Sequence, residues 1–304
     1  MTERRRATSV EEYHAIEARL FAPPQADNAK DAKDAKDADA PKPPPFEVRA
    51  SDVFITPFAK SGTTWLQQMF HALRTRGDMS FTDISGVVPW LEISPMLDID
   101  VNAEQRANPR GFKSHARYED LPAGARYIVS IRHPADVAYS MYKFMDGWFI
   151  EPGSIAVDDF VRGTFLKSGN YFKHLLSWWG QRDNPDVLFL VYEHMKEDLE
   201  GTIRAVAEFC DLTLDDELMS ITSEHASLAF MQQYKDRFDD ALLRAKTEET
   251  VLPPGSDSAK VRQGQVGERA HISDAVLQEI HAQWQEQVTA KLGFADYEAL
   301  IAAT

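Results

Sequence analysis

The run Phe54-Ile55-Thr56-Pro57-Phe58-Ala59-Lys60-Ser61-Gly62-Thr63-Thr64-Trp65-Leu66 constrains the fold more than any other stretch of the chain. Its first residues are β-branched and aromatic and read as a short buried strand. They give way to a small polar loop, after which Trp65, Leu66, Met69, Phe70 and Leu73 recur at helical spacing. A strand, a polar loop and a helix in that order aim backbone N–H groups and the positive end of a helix dipole at an anion. Lys60 adds a mobile positive charge, and Ser61, Thr63 and Thr64 add hydroxyl donors around Gly62. The expectation is a phosphate cradle. It is not the nucleotide-triphosphatase loop GxxxxGK[ST], because the lysine precedes the glycine and no glycine stands five residues upstream of Gly62.

A chain of 304 residues with 43% hydrophobic content and six tryptophans has room for one large α/β domain or two small ones. A formal charge of −15 argues against a general nucleic-acid binder, which needs a basic face. In so acidic a chain, every cation inside a motif carries weight. The single cysteine, Cys210, forbids an intrachain disulfide, suits a reducing compartment and reads as a buried helix thiol. Arg4-Arg5-Arg6 has no apolar run behind it, and no stretch approaches the ~20 apolar residues of a membrane helix. The expected setting is cytoplasmic, with neither membrane nor nucleic acid as a partner.

Residues 1–23 read as an N-terminal helical segment, with a short helix from Ser9 to Phe21. Residues 24–45 hold an Ala-Lys-Asp repeat followed by prolines, have no apolar face to bury, and read as a linker. Residues 46–304 read as one domain in which strands and helices alternate, the pattern of a mainly parallel sheet flanked by helices. Strands are expected at Val53 to Pro57, Arg110 to Ser114, Arg126 to Ile131 and Val187 to Tyr192. Helices are expected at Thr64 to Thr75, Pro134 to Phe144, Tyr171 to Trp179, Leu199 to Cys210 and Ser273 to Leu292. Residues 234–261 are charged, then rich in Pro, Gly and Ser, and read as a long loop or lid.

Two further patterns carry chemistry. The apolar run Tyr127-Ile128-Val129-Ser130-Ile131 delivers Arg132 at a strand end, and Pro134 opens the next helix, with Asp136 and Ser140 along it. Ligands of open parallel sheets sit just beyond such ends. In Gly111-Phe112-Lys113-Ser114-His115, a histidine ends a strand two residues after a lysine, which suits proton abstraction beside an anionic leaving group. No His/Cys/Asp cluster has metal-ligand spacing, so no metal is expected.

Lys60-Ser61-Gly62-Thr63-Thr64-Trp65 resembles the loop of the cytosolic-type sulfotransferases, here of a bacterial type, which holds the 5′-phosphosulfate of 3′-phosphoadenosine 5′-phosphosulfate (PAPS). The stretch from Arg132 to Ser140, with Phe144 beyond it, resembles that family's 3′-phosphate site. Lys113-Ser114-His115 resembles its Lys-Thr-His, which implies that His115 is the general base. Val87 to Glu92 resembles a segment near the acceptor pocket, and Tyr192-Glu193-His194-Met195-Lys196 a strand end whose tyrosine faces the adenine. Leu228 stands where the family has an aromatic residue on the adenine. Arg262-Gln263-Gly264 resembles the Arg-Lys-Gly segment that closes over the 3′-phosphate, with Gln263 replacing the lysine. The resemblance runs from about Val48 to Leu292. The family's dimer motif is not kept, since the nearest register gives Arg269, Ser273, Asp274 and Gln278, so the oligomeric state stays open.

The resemblance implies transfer of a sulfuryl group from PAPS to an acceptor hydroxyl, with an amine as the second choice. His115, Lys60 and Lys113 would carry the chemistry. The segments expected around the acceptor contribute Phe81, Pro89, Trp90, Met96, Phe144, Met145, Trp148 and Phe149, which suit a small apolar or aromatic alcohol or phenol. Two other readings remain open at this point: a nucleotide or small-molecule kinase of related fold, and a PAPS-binding module without activity.

Overall fold

Four short apolar runs pair side by side, all in parallel, in the computed structural model of the chain, which describes residues 4–21, 45–258, 260–262, 264 and 266–304. The strands are β1 (Val53–Ile55), β2 (Gly111–Lys113), β3 (Arg126–Ile131) and β4 (Val187–Val191), in the spatial order β2-β1-β3-β4. Ile55 lies opposite both Lys113 and Ile128, and Ile131 lies opposite Val191, so the four carboxyl ends form one rim. The chain order reverses at β1, which has β2 on one side and β3 on the other. That switch point is where an open parallel sheet leaves a crevice for a ligand.

The strands are mostly apolar, Lys113, Arg126 and Ser130 apart, because both faces of the sheet are covered. Val53, Ile55 and Ile128 pack with α2 (Thr63–Thr75) and the helix Leu199–Phe209 on one face. Phe54, Phe112, Tyr127 and Val129 pack with Trp178 on the other, following the period-two alternation of a strand. A bidentate ion pair, Arg110 Nη2 to Asp52 Oδ2 at 2.7 Å with Nε to Oδ1 at 2.9 Å, fixes the buried starts of β1 and β2.

All four expected strands and the expected helices form, with boundaries shifted by a residue or so, including α1 (Val10–Leu20) and α3 (Pro134–Met145). The final helix runs Asp274–Trp284, passes through a π turn at Gln285–Thr289 and ends at Leu292. Val276, Ile280, Trp284 and Val288 are buried along it. The stretch read as a loop or lid is different. It contains a ten-residue helix, Ala241–Thr250, anchored by only two buried side chains, Leu243 and Thr247. Two anchor points are too few to show a period in the sequence. The 24–45 linker, Pro45 apart, falls outside the described residues, and so does Gln263.

α1 shares a core with the end of α3. Tyr13, Ile16 and Leu20 cluster with Trp148, Phe149 and Phe160. Just ahead of it, Ala7 N–H donates to the Phe149 carbonyl at 2.8 Å, and Glu151 N–H donates back to the Ala7 carbonyl at 2.8 Å. Among the described residues no helix is long and apolar enough to cross a membrane.

Candidate active site

A cavity of about 660 Å³ opens at the rim, and each strand end contributes to it. After β1 comes the loop with Lys60 and Gly62; after β2, His115; after β3, Arg132; after β4, Tyr192. Six cations line this cavity (Lys60, Lys113, Arg132, Lys196, Lys260 and Arg262) against three carboxylates (Glu17, Asp240 and Glu268). In a chain of net charge −15 this is a local reversal of sign, the electrostatic setting for a polyanionic ligand.

The loop after β1 is shaped for close approach. Lys60 has φ 69° and Gly62 has φ 101°, and a Cβ on Gly62 would meet the Tyr192 ring at 3.1 Å. Gly62 is therefore required both for its left-handed backbone and for space. Its carbonyl accepts from Leu66 N–H at 3.0 Å, which leaves the earlier first-turn amides of α2 without intrahelical acceptors. The buried hydroxyls Ser61 Oγ and Thr63 Oγ1 have no hydrogen-bond partner among the described residues. Buried donors without partners are costly, and here they surround an anion-shaped nest. The 5′-phosphosulfate end of PAPS fits this donor set.

The second anion cluster is assembled from three elements. Arg132, 4% exposed, donates from Nη1 to the Lys60 carbonyl at 3.1 Å, with its guanidinium 4.5 Å from the Tyr192 ring centroid. Glu268 accepts from Arg262 Nη2 at 3.0 Å and lies 3.5 Å from Arg132 Nη2, so both guanidinium groups converge on one place. Ser140 is buried on α3 and faces the same cavity. Asp136, one turn earlier, accepts from the backbone N–H groups of Gly267 and Arg269 at 2.9 and 2.8 Å. It ties the loop carrying Arg262 to α3.

An aromatic wall stands beside this cluster. Trp65 donates from Nε1 to the Ala226 carbonyl at 2.7 Å and meets Tyr192 edge-on at 5.8 Å. Leu228, 38% exposed, and the Tyr192 hydroxyl both lie next to Gly264. Together they offer a flat apolar slot for a base.

At the other end of the cavity, His115 Nδ1 lies 2.7 Å from the Pro57 carbonyl. A carbonyl only accepts, so Nδ1 carries the proton and Nε2 is left as an acceptor. Burial, then the charge of Lys113, hold the imidazole well below its usual value, so it is neutral at physiological pH. The Trp90 ring sits edge-on to it at 5.1 Å and covers the Lys113 ammonium at 3.5 Å. Burial, followed by Lys260, lowers Lys113 to about 7. Burial and the neighbouring Lys260 and Arg262 also push Lys60 well below its usual value, and its ammonium lies 4.0 Å above the Phe144 ring.

Most of the expected residues meet here, and a few do not. Trp90, Phe144, Met145, Trp148 and Phe149 line the cavity. Phe81 instead packs in the main core, edge-on to His71 at 5.3 Å, and Pro89 acts through its backbone, accepting from Lys113 N–H at 2.7 Å. Neither belongs to the cavity wall, and neither does Met96. The sequence left unmarked Tyr13, Glu17 and Phe21 of the α1 region, and Asp240, Leu243 and Lys260 of the 234–261 stretch, all of which line it. Among the described residues no cluster of His, Cys, Asp and Glu could hold a metal ion.

Comparison with known proteins bears on the same region. Residues 50–292 match the family model of the sulfotransferase domain. Sulfotransferase 1E1 of Bos taurus is 29% identical over 261 residues, covering 80% of this chain and 85% of that one. Two solved structures share the fold. Retinol dehydratase in complex with androsterone and the inactive cofactor PAP has a TM-score of 0.62 at 20% identity, covering 80% of this chain and 82% of that one. Mouse sulfotransferase SULT7A1 complexed with PAP has a TM-score of 0.61 at 22% identity, covering 85% and 90%. The kinase reading and the reading as an inactive binding module give way: the chain belongs to the sulfotransferase family and is a PAPS-dependent enzyme of the cytosolic type.

Proposed function

We propose that the chain sulfates the hydroxyl of a small apolar or aromatic alcohol or phenol, with His115 as the general base. The observation that carries this reading is the presence in one cavity of His115 Nε2, an acceptor by its Nδ1 bond to Pro57, with the edge-on Trp90 ring and the rings of Phe144 and Trp148. An apolar acceptor body stacks among those rings while its hydroxyl reaches the imidazole. Retinol dehydratase, which shares the fold, was crystallised with androsterone, an acceptor-sized apolar molecule of this kind.

PAPS supplies, when bound, a sulfuryl group on a phosphate leaving oxygen. Lys60, Ser61, Gly62, Thr63 and Thr64 hold that end through the loop amides, the two unpartnered hydroxyls and the lysine ammonium. Arg132, Ser140 and Arg262, with Gly264, hold the 3′-phosphate, and the sequence resemblance adds Gln263 to this set. Trp65, Tyr192 and Leu228 hold the base. His115 Nε2 takes the acceptor proton, and Lys113 places positive charge beside the oxygen that loses its sulfuryl partner. Trp90, Phe144 and Trp148 orient the acceptor, and the Pro89 carbonyl holds the Lys113 backbone beside them. A cytoplasmic setting suits the lone thiol of Cys210, buried and pushed up to about 12 by its apolar surroundings.

The test is a labelled-PAPS screen across phenols, alkyl alcohols, sterols, amines, sulfated oligosaccharides and tyrosine peptides. Phenols or apolar alcohols should turn over best. Preferred turnover of an oligosaccharide or a peptide would refute the acceptor class.

A further inference from the structure

One polar cluster reaches the transfer site from a stretch that no motif marks. Asp240 immediately precedes the helix Ala241–Thr250, is 2% exposed, and has φ 56°, a conformation uncommon for a residue with a side chain. Its Oδ1 lies 2.5 Å from Lys260 Nζ and 3.8 Å from Lys113 Nζ. Lys260 comes from the far end of the same stretch, and both residues line the cavity beside Lys60 and His115. Trp90 covers one side of the Lys113 ammonium, so little of its hydration survives.

We propose that Asp240 is a positioning residue for sulfuryl transfer, anchoring Lys113 and Lys260 as a pair of ammonium groups in the cavity, so that Lys260 joins Lys60 and Lys113 as a third cation of the transfer site. This rests on the role given above to Lys113. Two buried ammonium groups repel each other and lose hydration, and a carboxylate between them offsets both effects. Burial alone would raise Asp240, yet Lys260 and then Lys113 bring it to about 2, so the carboxylate stays charged.

The charge of Lys113 is therefore conditional. Burial and Lys260 push its proton off, whereas Asp240, then Asp83 and Glu92, hold it on. Lys113 is charged below its midpoint and neutral above it, so any assistance from its charge fades as pH rises. His115 is already neutral throughout this window, whereas Lys60, itself pushed well below its usual value, also loses charge as pH rises, so the NMR midpoint of Lys113 is the deciding readout. Removing Asp240 should move the midpoint down, and removing the Lys260 charge should move it up.

The test uses that opposition. Lys113 is titrated by NMR of isotope-labelled lysine in the protein without cofactor, its signal assigned from Lys113→Arg, and the alkaline limb of turnover is measured alongside. Asp240→Asn should lower the midpoint by about one to two pH units, the range for losing an opposite charge at this distance. Its turnover should recover toward wild type as the pH falls from about 8 to about 6, because Lys113 regains its proton. Lys260→Met should raise the midpoint and carry the limb with it. An unmoved midpoint in either variant overturns the proposal, and Lys260→Met alone decides it if Asp240→Asn does not fold. Wild-type turnover in Lys113→Met would instead overturn the role given to Lys113.

Discussion

The two halves of the cavity are built by different means. The donor half stands on the four strand ends, where Lys60, His115, Arg132 and Tyr192 follow β1 to β4 in order. Backbone pairing fixes those ends, so short local motifs suffice to place the side chains. The acceptor half has no such frame. It is closed by the α1 region, the end of α3 and the helix Ala241–Thr250, joined by contacts such as Trp148 Nε1 to Thr247 Oγ1 at 3.3 Å, 99 residues apart. A wall made of distant segments can change its shape while the chemistry beside it stays fixed, which is how one fold serves many acceptors.

The two halves should respond differently to substitution. The largest effect is expected at the junction between them. His115→Ala should lower turnover roughly 10²–10⁴-fold, the usual range for a lost general base, with affinity for adenosine 3′,5′-bisphosphate (PAP) nearly unchanged. Single-turnover rates and calorimetry check both parts, and wild-type turnover in this variant would assign the proton to another group.

A smaller effect isolates the acceptor half. Phe21 follows α1 as its C-terminal cap, is 51% exposed and lines the cavity. Phe21→Ala should raise the acceptor KM several-fold, on the order of 1 kcal/mol of apolar contact, and leave PAP affinity and melting temperature unaltered. Equal losses for PAP and acceptor would mean that α1 closes over both ligands, and the division drawn here would not hold.

The same contrast explains what the sequence disclosed. Lys60 to Trp65, Arg132 to Ser140 and Lys113 to His115 are contiguous, and each lies on a strand–turn boundary that hydrophobic periodicity makes visible. Asp136 was visible as part of a spacing, but its task was not, because the amides it accepts from belong to Gly267 and Arg269, more than a hundred residues away. Glu17, Asp240 and Lys260 were invisible for a related reason. A charged residue in a short amphipathic helix or a polar stretch reads as solvated until the fold points it into a cavity. Phe81 erred in the opposite sense: an aromatic residue near the expected acceptor segments looked like lining and turned out to fill the core against His71 and Phe238.

The division of the cavity rests on the 3′-phosphate being gripped by Arg132, Ser140 and Arg262, and PAP and AMP differ only in that phosphate. Calorimetric titration of both ligands into the wild-type chain and Arg132→Ala is the most direct measurement. Charge-assisted hydrogen bonds contribute about 1.5–3 kcal/mol each, so two arginines predict PAP binding at least roughly 100-fold tighter than AMP. About half of that free-energy gap should close in Arg132→Ala, leaving roughly a tenfold preference from Arg262. Equal affinities of PAP and AMP for the wild-type protein would contradict it.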